Sequence, residues 1–256
     1  YSGPVWHVST SGSNETGNGS ESNPFLSIQT ALTAAGTNDT VLVQPGTYTE
    51  NIIWPETNGI KLISAGDSSN TIIDGGGVSV VIYSNSENPI DIHIDGFKII
   101  NGANFSSYAT GIWVEGSNLY LSNSQITSCQ TGAISLQNID NVELLNSDLS
   151  YNNGFGLNAE EVNKLNISGS IFSYNYGAGR GMIAKDCDSV FIHNSIFEGN
   201  EGYSESGGLI SDYSDYIELT SSQFLNNKGN RTGGAFIYNG SMLMDNCLFK
   251  NNWALH

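Results

Sequence analysis

Two nearly parallel passages constrain this chain more than any other feature. Residues 207–227 read GGLISDYSDYIELTSSQFLNN, and residues 233–252 read GGAFIYNGSMLMDNCLFKNN. Each opens on a glycine pair, passes through short apolar runs and closes on Phe-x-x-Asn. A unit this short cannot bury its own apolar side chains, so it must stack on copies of itself.

Aligned backwards, the unit continues. A turn column runs through Gly96, Asn123, Asn146, Gly169, Asn194, Ser221 and Asn246. Nearly all are Asn or Gly, which accept positive φ at least cost. Three residues beyond each lies an apolar anchor: Ile99, Ile126, Leu149, Phe172, Phe197, Phe224 and Phe249. A glycine opens each coil, at Gly111, Gly132, Gly156, Gly181, Gly208 and Gly234. The columns recur at steps of about 23 to 27 residues, with middle strands such as Leu119-Tyr120-Leu121 and Val190-Phe191-Ile192 between them. This predicts an all-β parallel β-helix of about nine coils, three short strands to each. A leucine-rich repeat would need a regular Leu framework, and an antiparallel sandwich would not keep the columns in register. Asparagines on successive coils can also pair as a ladder that pins the register.

One helix is expected, from about Pro24 to Ala35, with Asn23 as N-cap and Phe25, Ile28 and Leu32 on one face. It would cap the first coil, whose core is otherwise open to water. Because the repeat fills most of the 256 residues, a single domain is expected: strand, loop and capping helix over 1–40, stacked coils over 41–256. The chain starts at Tyr1 rather than Met, and FKNNWALH stops where the repeat would next supply a glycine pair. Both suggest a piece of a longer protein. An open last coil would invite end-to-end association with another chain.

The formal net charge is −17, with only 8 Lys and Arg. That argues against nucleic acid or an anionic membrane as partner, since both select basic surfaces. No apolar run reaches the length of a membrane span, so no membrane insertion by this segment is expected. Cys129, Cys187 and Cys247 fall on separate coils, too far apart for a disulfide.

The opening WHVSTSG, NPFLSIQTALTAA and DTVLVQPGTYTENI segments resemble the N-terminal capping region of secreted right-handed parallel β-helix proteins of the pectate-lyase-like superfamily. IDIHIDGFKIING is similar to their middle coils. The later GGA and F-x-x-N passages resemble repeats of polymorphic outer-membrane proteins and autotransporter passengers. The resemblance implies a right-handed solenoid and an extracellular or cell-surface location. It does not imply one activity, because this fold hosts lyases, hydrolases, adhesins and spacers.

Three places could carry chemistry. The turn between the first and second strands is acidic coil after coil, with Asp186, Asp188, Asp212 and Asp215 its densest group. Such an edge either spreads into water or binds calcium through oxygen ligands. Lyases of the resembling superfamily use a Lys or Arg base beside calcium, which here would fall to Lys185 and Arg180 in GRGMIAKDCD. A surface this acidic would repel polyuronates, however. Finally, Tyr151 and Tyr174 occupy equivalent positions on adjacent coils, with Tyr176 and Tyr203 close by. Exposed aromatics beside Asn and Asp suit a polysaccharide or cell-surface glycan, although they could instead seal loops against the solenoid. The expected function is therefore an exported, non-catalytic glycan-binding module, adhesin or spacer; the alternative is a calcium-dependent polysaccharide lyase. The loops NGANFSSYAT, YNYGAGRG and GNEGYSESGG vary most in length and are where binding is expected to sit.

Overall fold

The turn column explains the shape. Gly96, Asn123, Asn146, Gly169, Asn194, Ser221 and Asn246 all hold positive φ in the computed structural model, which describes residues 2–103, 110–176, 180–203 and 206–255. Each of these left-handed residues turns the chain from one strand direction to the next. The result is a right-handed parallel β-solenoid. Third strands stack into a nine-stranded sheet, and first and second strands form one sixteen-stranded sheet. About eight full turns connect these nine strands. The residues 104–109, 177–179 and 204–205, which belong to the three variable loops named above, lie outside the described residues.

Strand length departs from the three-short-strand expectation in the middle coils. Gly132–Leu145 and Phe155–Ser168 are each one continuous strand. The turn there holds one left-handed residue, Asn138 or Glu161, and pairing resumes at Ile139 opposite Val162.

The interior is built in stacks. Phe172, Phe197, Phe224 and Phe249 lie nearly parallel, with centroids 4.7, 4.8 and 4.6 Å apart. Beside them runs a buried amide ladder. Asn152 donates through Nδ2 to Asn175 Oδ1 at 3.1 Å, Asn175 to Asn200 at 3.0 Å, Asn200 to Asn227 at 2.9 Å, and Asn227 to Asn252 at 3.1 Å. Each Nδ2 also reaches a backbone carbonyl: Asn175 that of Leu149, Asn200 that of Phe172. This satisfies amides that burial would otherwise penalise. The F-x-x-N repeat is thus a packing instruction: the Phe fills the core and the Asn sets the register. The opening glycines leave room for it. A Cβ at Gly181 would lie 2.6 Å from the Gly208 carbonyl oxygen and 2.7 Å from the Phe197 ring.

The N-terminal cap is present but starts later than expected. The helix is Ile28–Ala34, and its N-cap is Ser27, which accepts from Thr30 N–H. Asn23 instead bridges to Ser20. The first-turn N–H groups of Ile28 and Gln29 donate to the Glu50 carboxylate at 2.8 and 2.9 Å. A side chain from the next coil therefore finishes a helix end that its own sequence leaves short of acceptors. Burial raises the Glu50 pKa above its ordinary value, against the lowering effect of those two N–H bonds. Phe25, Ile28 and Leu32 are buried as expected. Val5–Val8 pairs with Thr40–Val43, so the leading strand is part of the solenoid wall.

At the other end, Met242, Met244, Leu248 and Phe249 are between 40% and 48% exposed, in contrast to the fully buried Phe172, Phe197 and Phe224. No helix is long and apolar enough to cross a membrane among the described residues.

Candidate functional site

Two residues beyond each anchor of the third sheet, the chain again turns left-handed. The column is Asn101, Ser128, Tyr151, Tyr174, Gly199, Asn226 and Asn251, all at positive φ. Asn, Ser and Gly are expected there. A bulky aromatic is not, and each such residue costs on the order of 1–3 kcal/mol. Tyr151 and Tyr174 nonetheless occupy it on adjacent coils, at φ 59° and 52°. Their rings stack with centroids 5.2 Å apart and 15° between planes, and they are 62% and 46% exposed. On the following coil, a Cβ at Gly199 would sit 2.6 Å from the Tyr174 ring, so the glycine makes room for the ring. Among the described residues, the pair stands exposed as a small ladder.

Tyr176 and Tyr203 form a second exposed pair. The Tyr203 hydroxyl donates to Tyr176 at 2.6 Å and the rings meet edge to face at 5.8 Å. That hydrogen bond, followed by burial, raises the Tyr203 pKa above its ordinary value. The structure thus brings the four tyrosines together as two pairs. Tyr213 and Tyr238 add a third pair, edge to face at 5.5 Å, in the first turn of the next coils. Tyr238 could have been found by aligning the first turns, where it follows Glu160, Lys185 and Asp212 in register.

The strand register spreads the acidic turn out. Lys185 stands between Glu160 and Asp212 in one column. Asp186 holds a left-handed position, as does Tyr213, the residue following Asp212. Asp188 precedes Ser189 and Asp215 precedes Tyr216, which are partners, so only these two aspartates share a column. Among the described residues, no three His, Cys, Asp or Glu gather as a metal-holding group. Lys185 Nζ pairs with the Glu160 carboxylate and lies 3.5 Å from Asp186 Oδ2. The hydrogen bond that Lys185 donates to Glu160 is the main reason the lysine pKa is raised. Arg180 lies beside the Gly156 opening, where its carbonyl accepts from Gly156 N–H at 2.9 Å.

The family model for a right-handed β-helix region matches residues 47–204 and 110–255. The chain belongs to the right-handed β-helix family. Among solved structures, the complex of XylC with xylose aligns at TM-score 0.73 and 12% identity. The alignment covers 96% of this chain and 66% of XylC, just under two thirds of that protein's length. A rhamnogalacturonan lyase aligns at TM-score 0.47 and 11% identity, over 93% of this chain and 88% of the lyase. Pectate lyase Pel9A aligns at 0.47 and 13%, over 93% and 78%. At these identities the likeness is one of fold. A search of curated proteins finds no significant match.

Cys129, Cys187 and Cys247 are free thiols, the first two buried and the third partly so. Burial pushes Cys129 up to about 11 and raises Cys187 as well, which keeps both protonated and inert. His93 and His193 are strand residues within Asp91–Asp95 and Ser189–His193. His93 stacks on Tyr120 at 4.6 Å, and burial lowers its pKa.

Proposed function

We propose that this chain is an exported module of the cell surface or extracellular space that binds glycans without cleaving them. The observation that carries the reading is the Tyr151–Tyr174 ladder: two exposed, stacked rings held at left-handed backbone positions that other coils give to Asn, Ser or Gly. Strain of this kind persists where the side chain has a use. Aromatic faces bind the C–H faces of sugar rings, and Tyr176 and Tyr203 add hydroxyls beside them. XylC, solved in complex with xylose, shares the solenoid fold, which is consistent with a sugar ligand.

The calcium-dependent lyase remains the alternative. It would need a neutral amine at Lys185 as base, whereas Glu160 and Asp186 favour the ammonium form. Ultraviolet detection of unsaturated uronate from pectate or alginate, lost in Lys185→Ala, would establish the lyase and refute the binding module. A glycan array probed with the intact chain tests the leading reading; retention on one glycan class is expected, with no unsaturated product released.

A further inference from the structure

The outer wall of the early coils carries a second concave surface, far in sequence from the tyrosine ladder. On three consecutive coils the strand alternation turns Ile52, Ile82 and Ile112 into the core, and the residues that follow them outward. Those outward residues are Ile53, Tyr83 and Trp113, in register. The next two coils carry Ser135 and Asn158 at this position. Ser135 and Asn158 interrupt the apolar column, which resumes only with Ile183, Ile210 and Phe236 on later coils. Tyr83 and Trp113 meet edge to face at 5.0 Å, and Ile53 is 65% exposed. The three line a cavity of about 330 Å³ with Asn51, Ser79 and Val80 at its rim.

This cavity does not stand alone. Tyr83 also lines a neighbouring hollow of about 560 Å³ with Glu56, Asn85 and Glu87. Asn85 and Glu87 in turn line a third, of about 410 Å³, with Glu115 and Asp140. Shared walls join the three into one groove, aromatic at one end and rich in carboxylates and amides along the rest. Among the described residues, none of those lining it is basic.

We propose that this groove is a binding site for a neutral oligosaccharide. The aromatic end presents faces for a sugar ring, and carboxylates and amides accept and donate along a row of hydroxyls. The charge fits an uncharged, hydroxyl-rich chain: four carboxylates, with no basic side chain among the described lining residues, repel uronates. The groove is separate from the Tyr151–Tyr174 ladder, so either can fail without the other.

Calorimetric titration of the intact chain with hexasaccharides of three charges tests this: xylohexaose as neutral, oligogalacturonate as anionic, and a glucosamine hexamer as cationic. Xylohexaose is expected to bind with little dependence on salt and to change tryptophan fluorescence through Trp113. Trp113→Ala and Tyr83→Ala should each weaken that binding about tenfold, and Trp113→Phe should retain most of it. Tyr151→Asn/Tyr174→Asn should leave it unchanged. Melting curves identify any variant that fails to fold, in which case Trp113→Phe and Glu87→Gln carry the test. The proposal is overturned if xylohexaose does not bind, if either charged hexamer binds more tightly, or if folded Trp113 and Tyr83 variants bind as the parent does.

Discussion

The side-chain amide of Asn175 donates to Asn200 Oδ1 at 3.0 Å, and the backbone N–H of Asn175 donates to the same oxygen at 3.1 Å. One buried side chain therefore serves two donors on the coil before it. Replacing Asn200 with Ala orphans the Asn175 backbone N–H and one of its two Nδ2 protons, the other staying on the Leu149 carbonyl, at about 1–3 kcal/mol for each orphaned donor. Chemical denaturation should show Asn200→Ala to be strongly destabilising. Asn252→Ala should cost less, because Asn252 lies where water can replace the lost oxygen.

The phenylalanine stack predicts a gradient. Phe172 is fully buried between coils, so Phe172→Ala should cost about 3–5 kcal/mol. Phe249 is 40% exposed, and Phe249→Ala should cost less than half as much. Equal losses at the two positions in matched denaturation curves would show that the last coil is packed as tightly as the middle ones.

Much of this architecture was legible because it rests on residue types that few substitutes can replace. A left-handed turn selects Asn or Gly, and a coil opening without room for a Cβ selects Gly, so the columns from Gly96 to Asn246 and from Gly111 to Gly234 could be read directly. The helix start could not. Asn23 and Pro24 carry local start signals, but Ser27 and the distant Glu50 decide the end. In the acidic turn, composition showed density, while register determines neighbours and puts Asp186 and Asp212 in different columns. The pairing of Tyr151 with Tyr174 could be read because both fall on the regular repeat. That of Tyr83 with Ile53 and Trp113 could not, because the early coils are less regular and the three lie in distant stretches.

Protonation of His93 should destabilise the fold. Burial lowers its pKa, with the nearby Lys61 in the same direction and Asp91 and Glu143 opposing. A group with a depressed folded pKa favours the fold above its ordinary pKa, near 6.5 for an imidazole. That contribution is lost as pH falls through the lowered value. Melting temperature should therefore fall more steeply below neutrality in the parent than in His93→Gln. Identical pH profiles would remove His93 from the acid response.

The acidic edge is predicted to respond to ionic strength in general rather than to calcium in particular. Screening of a chain at net −17 should raise the melting temperature, and calcium and magnesium should act alike at equal concentration. A larger rise with calcium, reversed by chelator and lost in Asp188→Asn or Asp215→Asn, would instead establish a calcium site there.

The central claim rests on the tyrosine ladder, and the double variant Tyr151→Asn/Tyr174→Asn tests it most directly. Asn already holds the same left-handed position at Asn101, Asn226 and Asn251, so the variant relieves strain while losing one ring stack. Its stability should stay within about 1 kcal/mol of the parent. Glycan-array binding by both proteins is the decisive measurement. The parent is expected to retain a glycan class that the folded variant no longer holds; a blank array for the parent, or an unchanged pattern for the variant, would contradict glycan binding by the ladder.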